Sequence, residues 1–185
     1  MHYQHAFNEL LLAEGGWNGN AKTEPGGGAN YGITVVSYLE WKHKKKLLLD
    51  VKPGDQLAID YLKNIPMTEV AQFYDEEYCQ PLLLDLLTGK LTCLAFLDQA
   101  VNRGKGGLAK QVRFTMQKWF NVKDTGQKLV SLYPTINAIP DRLFFFRLVT
   151  DSQDWYVNLC KAKPDKIESL NGWLNRSQAL LHQLV

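Results

Sequence analysis

Apolar residues recur at helical spacing along most of this chain, and the main interruption is a stretch dense in glycine. Tyr3, Phe7, Leu10 and Leu11 stand at i, i+4, i+7 and i+8, which predicts a helix over residues 3–13. Gly15 and Gly16 stop it, because glycine tolerates the left-handed geometry of a helix end. Glu14 is thereby left at a helix C-terminus, on the lip of an irregular segment. That segment, WNGNAKTEPGGGANY from Trp17 to Tyr31, predicts turns and a small β-hairpin near residues 17–34, with a brief extended piece from Tyr31 to Thr34. Thr34 suits the N-cap of a helix over 35–46. Pro53-Gly54 breaks the chain and Asp55 caps a helix over 56–63. Pro66 breaks it again. Thr68 and Glu69 open a helix to about Cys79, which Pro81 ends.

A strongly apolar stretch stands near the start of the second half. Leu91, Leu94, Ala95, Phe96, Leu97 and Val101 predict a buried central helix over 90–102. Arg103-Gly104-Lys105-Gly106-Gly107 reads as a turn, and Val112, Met116 and Trp119 mark an amphipathic helix over 108–120. Residues 121–140 read as a loop, followed by helices over 140–150, 153–161 and 166–184. The fold class is mainly α with one small hairpin. An N-terminal part over 1–85 and a helical part over 86–185 are expected to pack as one globular unit.

At 185 residues the chain is long enough to bury a core. Its net charge of +2 is too weak to argue for nucleic acid, though it is compatible with an anionic substrate. No apolar run reaches the roughly 18 residues that a membrane span needs. The N-terminal stretch lacks a basic region before its apolar part and does not read as a secretory signal. Cys79, Cys93 and Cys160 are odd in number and widely spaced, so they suit small buried apolar positions better than a disulfide framework or a zinc site. His2, His5, His43 and His182 have no metal-binding spacing. Lys42-His43-Lys44-Lys45-Lys46 and Asp75-Glu76-Glu77 read as solvated helix faces, with attraction to an anionic polymer as the functional alternative for the first. Gly104-Lys105-Gly106-Gly107 lacks the spacing of a phosphate loop.

The densest chemistry lies in Glu14-Gly15-Gly16-Trp17, Glu24-Pro25-Gly26-Gly27 and Asn30-Tyr31-Gly32-Ile33-Thr34. Two carboxylates flank a glycine-rich hairpin. Glycoside hydrolysis uses such a pair, one to protonate the leaving oxygen and one to activate water or stabilise the anomeric centre. A general acid must hold its proton near neutral pH, which apolar surroundings and the negative end of a helix dipole both favour. Glycines let backbone approach a sugar. By residue pattern alone, an ordinary helix end and a solvated turn glutamate fit equally well.

The same residues resemble the N-terminal signature of glycoside hydrolase family 108, the N-acetylmuramidases of phage endolysins and related secreted lysozymes. Glu14, Gly15, Gly16, Trp17, Pro25, Gly26, Gly27, Tyr31, Gly32, Ile33 and Thr34 fit that signature. Asp98-Gln99-Ala100-Val101-Asn102 with Gly104 is similar to a second family segment. Asn171-Gly172-Trp173-Leu174-Asn175-Arg176 is similar to a third, near the end of the family's peptidoglycan-binding region.

The resemblance implies a lysozyme-like fold and a muramidase that cleaves the β-1,4 bond between N-acetylmuramic acid and N-acetylglucosamine. Glu14 is then the catalytic acid, and Glu24 is the second carboxylate that orients water. Trp17, Tyr31, Thr34, Asp98 and Asn102 are candidate substrate-binding residues, with core packing or a polar network as the alternative for the aromatic pair and for Asp98 and Asn102. Two departures stand out: the hairpin acid is Glu24 rather than Asp, and Ala29 occupies the position of a threonine. Thr23 is a candidate replacement for that hydroxyl. These departures keep a second reading open, a peptidoglycan-binding module with weak or no catalysis. The resemblance calls for no cofactor or metal, no nucleic acid and no membrane partner. It implies a monomer that acts on bacterial peptidoglycan in the periplasm or wall, delivered as an endolysin through a holin or as an effector through a secretion apparatus. In the effector case a cognate immunity protein is the expected partner.

Overall fold

A computed structural model describes residues 4–19 and 26–185. Two compact units emerge. One runs from Phe7 to Pro81, and the other holds Leu82–Val185 together with the described residues before Phe7.

The N-terminal unit begins on helix α1 (Gln4–Glu14). Gly15 ends it at φ 69°, with its N–H still bonded to Leu11 O. Strands β1 (Ala29–Asn30) and β2 (Ile33–Thr34) pair antiparallel, Ala29 opposite Thr34 and Asn30 opposite Ile33. The connecting residues Tyr31 and Gly32 both have positive φ, 50° and 74°. Those values belong to the tight two-residue turn that matches strand twist. The extended piece expected over Tyr31–Thr34 is therefore half turn. Asn18 bridges to Ala29 on the other side of the ribbon.

Thr34 then caps α2 (Val35–Lys44): its hydroxyl accepts from Ser37 N, and Ser37 Oγ accepts from Thr34 N in return. Helix α3 (Gln56–Lys63) starts after Asp55, as its sequence predicts. The Asp55 carboxylate does not cap it, but accepts from Lys52 N at 2.7 Å and closes the preceding turn. Asn30 is buried and donates to Leu62 O and Lys63 O, binding the last carbonyls of α3 to the hairpin.

Helix α4 (Met67–Tyr74) continues into a π turn (Asp75–Cys79) and a last short turn, α5 (Gln80–Leu82). Pro81 thus lies inside the helical run and does not end it. The wider π turn, in which Gln80 N reaches back to Asp75 O, replaces the tight α ladder where a proline ring would clash. The two charged runs are not simple solvated faces. Lys42 pairs with Glu69, Lys44 with Glu77 and Lys45 with Glu76, so α2 is laced to α4 and its π turn.

The C-terminal unit is built on α6 (Lys90–Phe120), which is buried without interruption from Thr92 to Ala100. The five-residue turn expected at 103–107 shrinks to one residue. Gly104, at φ 73° and ψ 159°, is the single non-helical position, and only glycine adopts that geometry without strain. The region 121–140 is more ordered than a loop: it holds a 3-10 turn (Leu129–Leu132) and α7 (Tyr133–Ala138). Helix α8 (Asp141–Ala162) is one helix where two were expected. The polar run Thr150-Asp151-Ser152 does not break it, because Thr150 and Ser152 return their hydroxyls to Phe146 O and Leu148 O. Asp141 opens α8 and accepts from Leu91 N and Thr92 N, placing a carboxylate on the positive end of α6. Helix α9 (Ile167–Leu181) packs on α8. All three cysteines are buried, and none of them forms a disulfide.

Candidate active site

The N-terminal unit brings Glu14 against the turn of the hairpin. The side chain is half-buried, and it occupies the space that a side chain at Gly32 would need. A Cβ built on Gly32 would fall 2.6 Å from Glu14 Oε2 and 2.7 Å from its Cδ. Gly32 is therefore required twice, by its φ of 74° and by the carboxyl seated on it.

An aromatic floor holds this arrangement. Tyr74 donates its hydroxyl to Tyr31 O at 2.7 Å and so pins the turn. Phe7, from the same helix as Glu14, meets Tyr74 edge-on at 5.9 Å. Tyr74 and Tyr78 face each other across the π turn at 5.7 Å. Burial, then the charges of Glu77 and Glu14, push the Tyr78 hydroxyl above its ordinary range, so a neutral phenol stands within the field of the Glu14 carboxylate. The arrangement can present a carboxyl and a neutral phenol beside a backbone turn stripped of side chains. Gly32 had been visible only as a motif letter, and Tyr74 and Tyr78 were missed. Their i, i+4 spacing was a signal, hidden beside the acidic run 75–77.

Trp17 is half-buried over Gly28, where its ring edge fills the place of a Cβ. Tyr31 is half-buried on the turn, and the Thr34 hydroxyl is engaged in its capping box. Ala29 is buried, with N–H and C=O both bonded to Asn18. Glu24, Thr23 and Pro25 lie outside the described residues.

The remaining candidates belong to the C-terminal unit. Asp98 is buried and its carboxylate accepts from Arg176 Nε at 2.5 Å. Asn102 is exposed and donates to Asp98 O at 2.8 Å. Trp173, three residues before Arg176, stacks on Tyr156 at 4.9 Å. No group of three or more His, Cys, Asp or Glu among the described residues is placed to hold a metal ion. No helix among them is long and apolar enough to cross a membrane.

The profile of the family described as Glycosyl hydrolase 108 matches residues 7–104, over half of the chain and the whole of the Glu14 site. The chain belongs to glycosyl hydrolase family 108. Its fold is mainly α and lysozyme-like. A solved structure from Brucella abortus, titled SagA, is similar with a TM-score of 0.71 at 20% identity, covering 98% of this chain and 92% of that one. At that identity the likeness shows the fold. No curated protein matches the chain. Membership in family 108 makes the chain a glycosidase by class and suggests a peptidoglycan substrate.

Proposed function

We propose that this chain is a muramidase in which Glu14 protonates the glycosidic oxygen between N-acetylmuramic acid and N-acetylglucosamine. The observation that carries the reading is the Glu14 carboxyl seated on Gly32, in a unit that matches a glycosidase family. A general acid needs a fixed approach to the leaving oxygen, and the glycine turn supplies that approach without a blocking side chain. Glu24 serves as the second carboxylate and orients the attacking water. Trp17 and Tyr31 contact the sugar, and the C-terminal unit, with Asp98 and Asn102 among its residues, adds affinity for the wall. The site is that of an enzyme working on bacterial peptidoglycan as a phage endolysin or an antibacterial effector. A holin gene or an immunity gene beside its own distinguishes the two.

The test is mass analysis of muropeptides released from purified sacculi. Wild type releases fragments ending in N-acetylmuramic acid, and Glu14→Gln slows release by about 10²–10⁴-fold, the usual worth of a general acid. Glu24→Gln is damaging but milder. Digestion by Glu14→Gln at the wild-type rate would remove Glu14 from the mechanism. Binding to sacculi with no reducing sugar released by wild type would favour a recognition module, the reading in keeping with the buried, hydroxyl-free Ala29.

A further inference from the structure

A groove of about 570 Å³ opens in the C-terminal unit between α6 and the pair α8 and α9, lined by Arg103, Gln111, Trp155, Tyr156 and Trp173 among others. Its polar wall includes two side-chain donors that have no acceptor. The Arg103 guanidinium lies on the Trp155 ring, 3.8 Å from its centroid. Its Nη1 donates to Gln99 Oε1 and Gln111 Oε1, each at 3.0 Å. These partners are all neutral. Arg103 Nε and the Gln111 side-chain nitrogen are buried with no hydrogen-bond partner, and Gln111 is only 4% exposed.

The acids on the same groove stand beside Lys118 and form no salt bridge with Arg103. Asp151 accepts from Thr115, Lys118 and Trp119. Asp154 is 72% exposed and stands 3.8 Å from Lys118. No carboxylate among the described residues forms a salt bridge with Arg103. Burial lowers the proton affinity of this guanidinium, as expected for a cation taken from water without a counter-charge. Buried cations and buried N–H groups are ordinarily paired, and here the missing partner is an anion with acceptor oxygens.

We propose that this groove is a carboxylate-binding site, in which Arg103 Nε and the Gln111 amide hold the carboxylate while Trp155 and Trp173 cover the apolar part of the ligand. A carboxylate presents oxygen acceptors to a guanidinium in its own plane, the match that favours arginine over lysine. The source of the ligand rests on the peptidoglycan reading above. The wall offers carboxylates on its short peptides and on the lactyl ether of muramic acid that carries no peptide.

The experiment is calorimetric titration of the full chain with four small probes, none of which has a bond the enzyme cleaves. They are N-acetyl-D-alanyl-D-alanine, its C-terminal amide, N-acetylmuramic acid and N-acetylglucosamine. One acid binds at least roughly tenfold more tightly than its neutral counterpart, and the pair showing the difference names the source. Arg103→Gln abolishes that preference, and Arg103→Lys retains part of it. The wild-type affinity also falls as the ligand carboxylate is protonated near pH 3.5, a readout that needs no variant to fold. Equal affinity for each acid and its neutral counterpart overturns the proposal, as does failure of both acids to bind. Because turnover is not measured, either result stands apart from the fate of Glu14→Gln on sacculi.

Discussion

Arg176 donates its Nε to Asp98 Oδ1 at 2.5 Å, across seventy-eight residues of sequence. The bond joins two of the sequence segments by which the second half resembles its family, one on α6 and one on α9. Asp98 is nearly sealed, with 6% of its side chain exposed, so removing the arginine takes a cationic partner from a buried carboxylate. Arg176→Met is expected to cost about 3–5 kcal/mol of stability, the usual penalty for breaking a buried pair from one side. Asp98→Asn combined with Arg176→Met should recover part of that loss. Urea denaturation of the four-member cycle measures the coupling, and additive losses would show that the pair is not a unit.

Gly32 offers a sharper test of the site. Gly32→Ala forces a side chain into a φ of 74° and displaces the Glu14 carboxyl from 2.6 Å. The backbone penalty is about 1 kcal/mol. A misplacement of about 1 Å can cost a hundredfold in rate, so release of muropeptides should fall by about that factor. Gly54→Ala is the matched control. It has φ 93° and nothing within 4 Å of the added carbon, so it shares the strain and spares the carboxyl. If both variants lose activity equally, the effect belongs to the backbone and not to Glu14.

The contrast between these residues explains what could be read from sequence. The helix end at Glu14 and Gly15, the cap at Thr34 and the start of α3 after Asp55 are local events, set by a few neighbouring residues, and their pattern predicts them. The single kink at Gly104 and the uninterrupted α8 were hidden, because burial along α6 and hydroxyl back-bonds in α8 are settled by packing. The ion pairs between α2 and α4 were hidden too. Each charged run looks solvated until its helix meets the other. Within the candidate site, Glu-Gly-Gly predicts the place of Glu14 at a helix end, whereas its seat on Gly32 and the nearby Tyr78 arise only when the hairpin and the π turn pack together.

Four tyrosines, three of them buried and Tyr78 half-buried, set an alkaline limit. Tyr38, Tyr78, Tyr133 and Tyr156 all have hydroxyls raised above the ordinary 10.0, chiefly by burial. The folded protein therefore holds these protons more tightly than the unfolded chain. Their contribution is complete below pH 10 and is lost as pH rises toward the folded values. Chemical denaturation midpoints should be flat with respect to these groups up to that point and then fall. Phenolate absorbance should rise together with loss of tertiary structure. A phenolate signal that develops fully while the fold persists would contradict the burial.

The basic run at the end of α2 provides the last test, because Lys42, Lys44 and Lys45 are engaged within the unit. Lys45 bonds Glu76 and lies 4.2 Å over the Trp41 ring, while Lys44, 62% exposed, pairs with Glu77. A surface pair contributes about 0–1 kcal/mol, and a cation on a tryptophan face adds about 0.5–1 kcal/mol. Lys45→Gln should therefore destabilise more than Lys44→Gln, and neither should change retention on sacculi by more than a small factor. Acid gives the sign. The Lys45 ammonium, followed by Trp41 and Gln72 as donors, holds the Glu76 carboxyl below its ordinary 4.5, against the opposing effect of burial. That contribution is present above pH 4.5 and disappears as pH falls through the lower folded value. The deficit of Lys45→Gln relative to wild type should accordingly shrink in acid. Retention that drops steeply in either variant, with stability unchanged, would instead return the run to the role of a wall-facing patch.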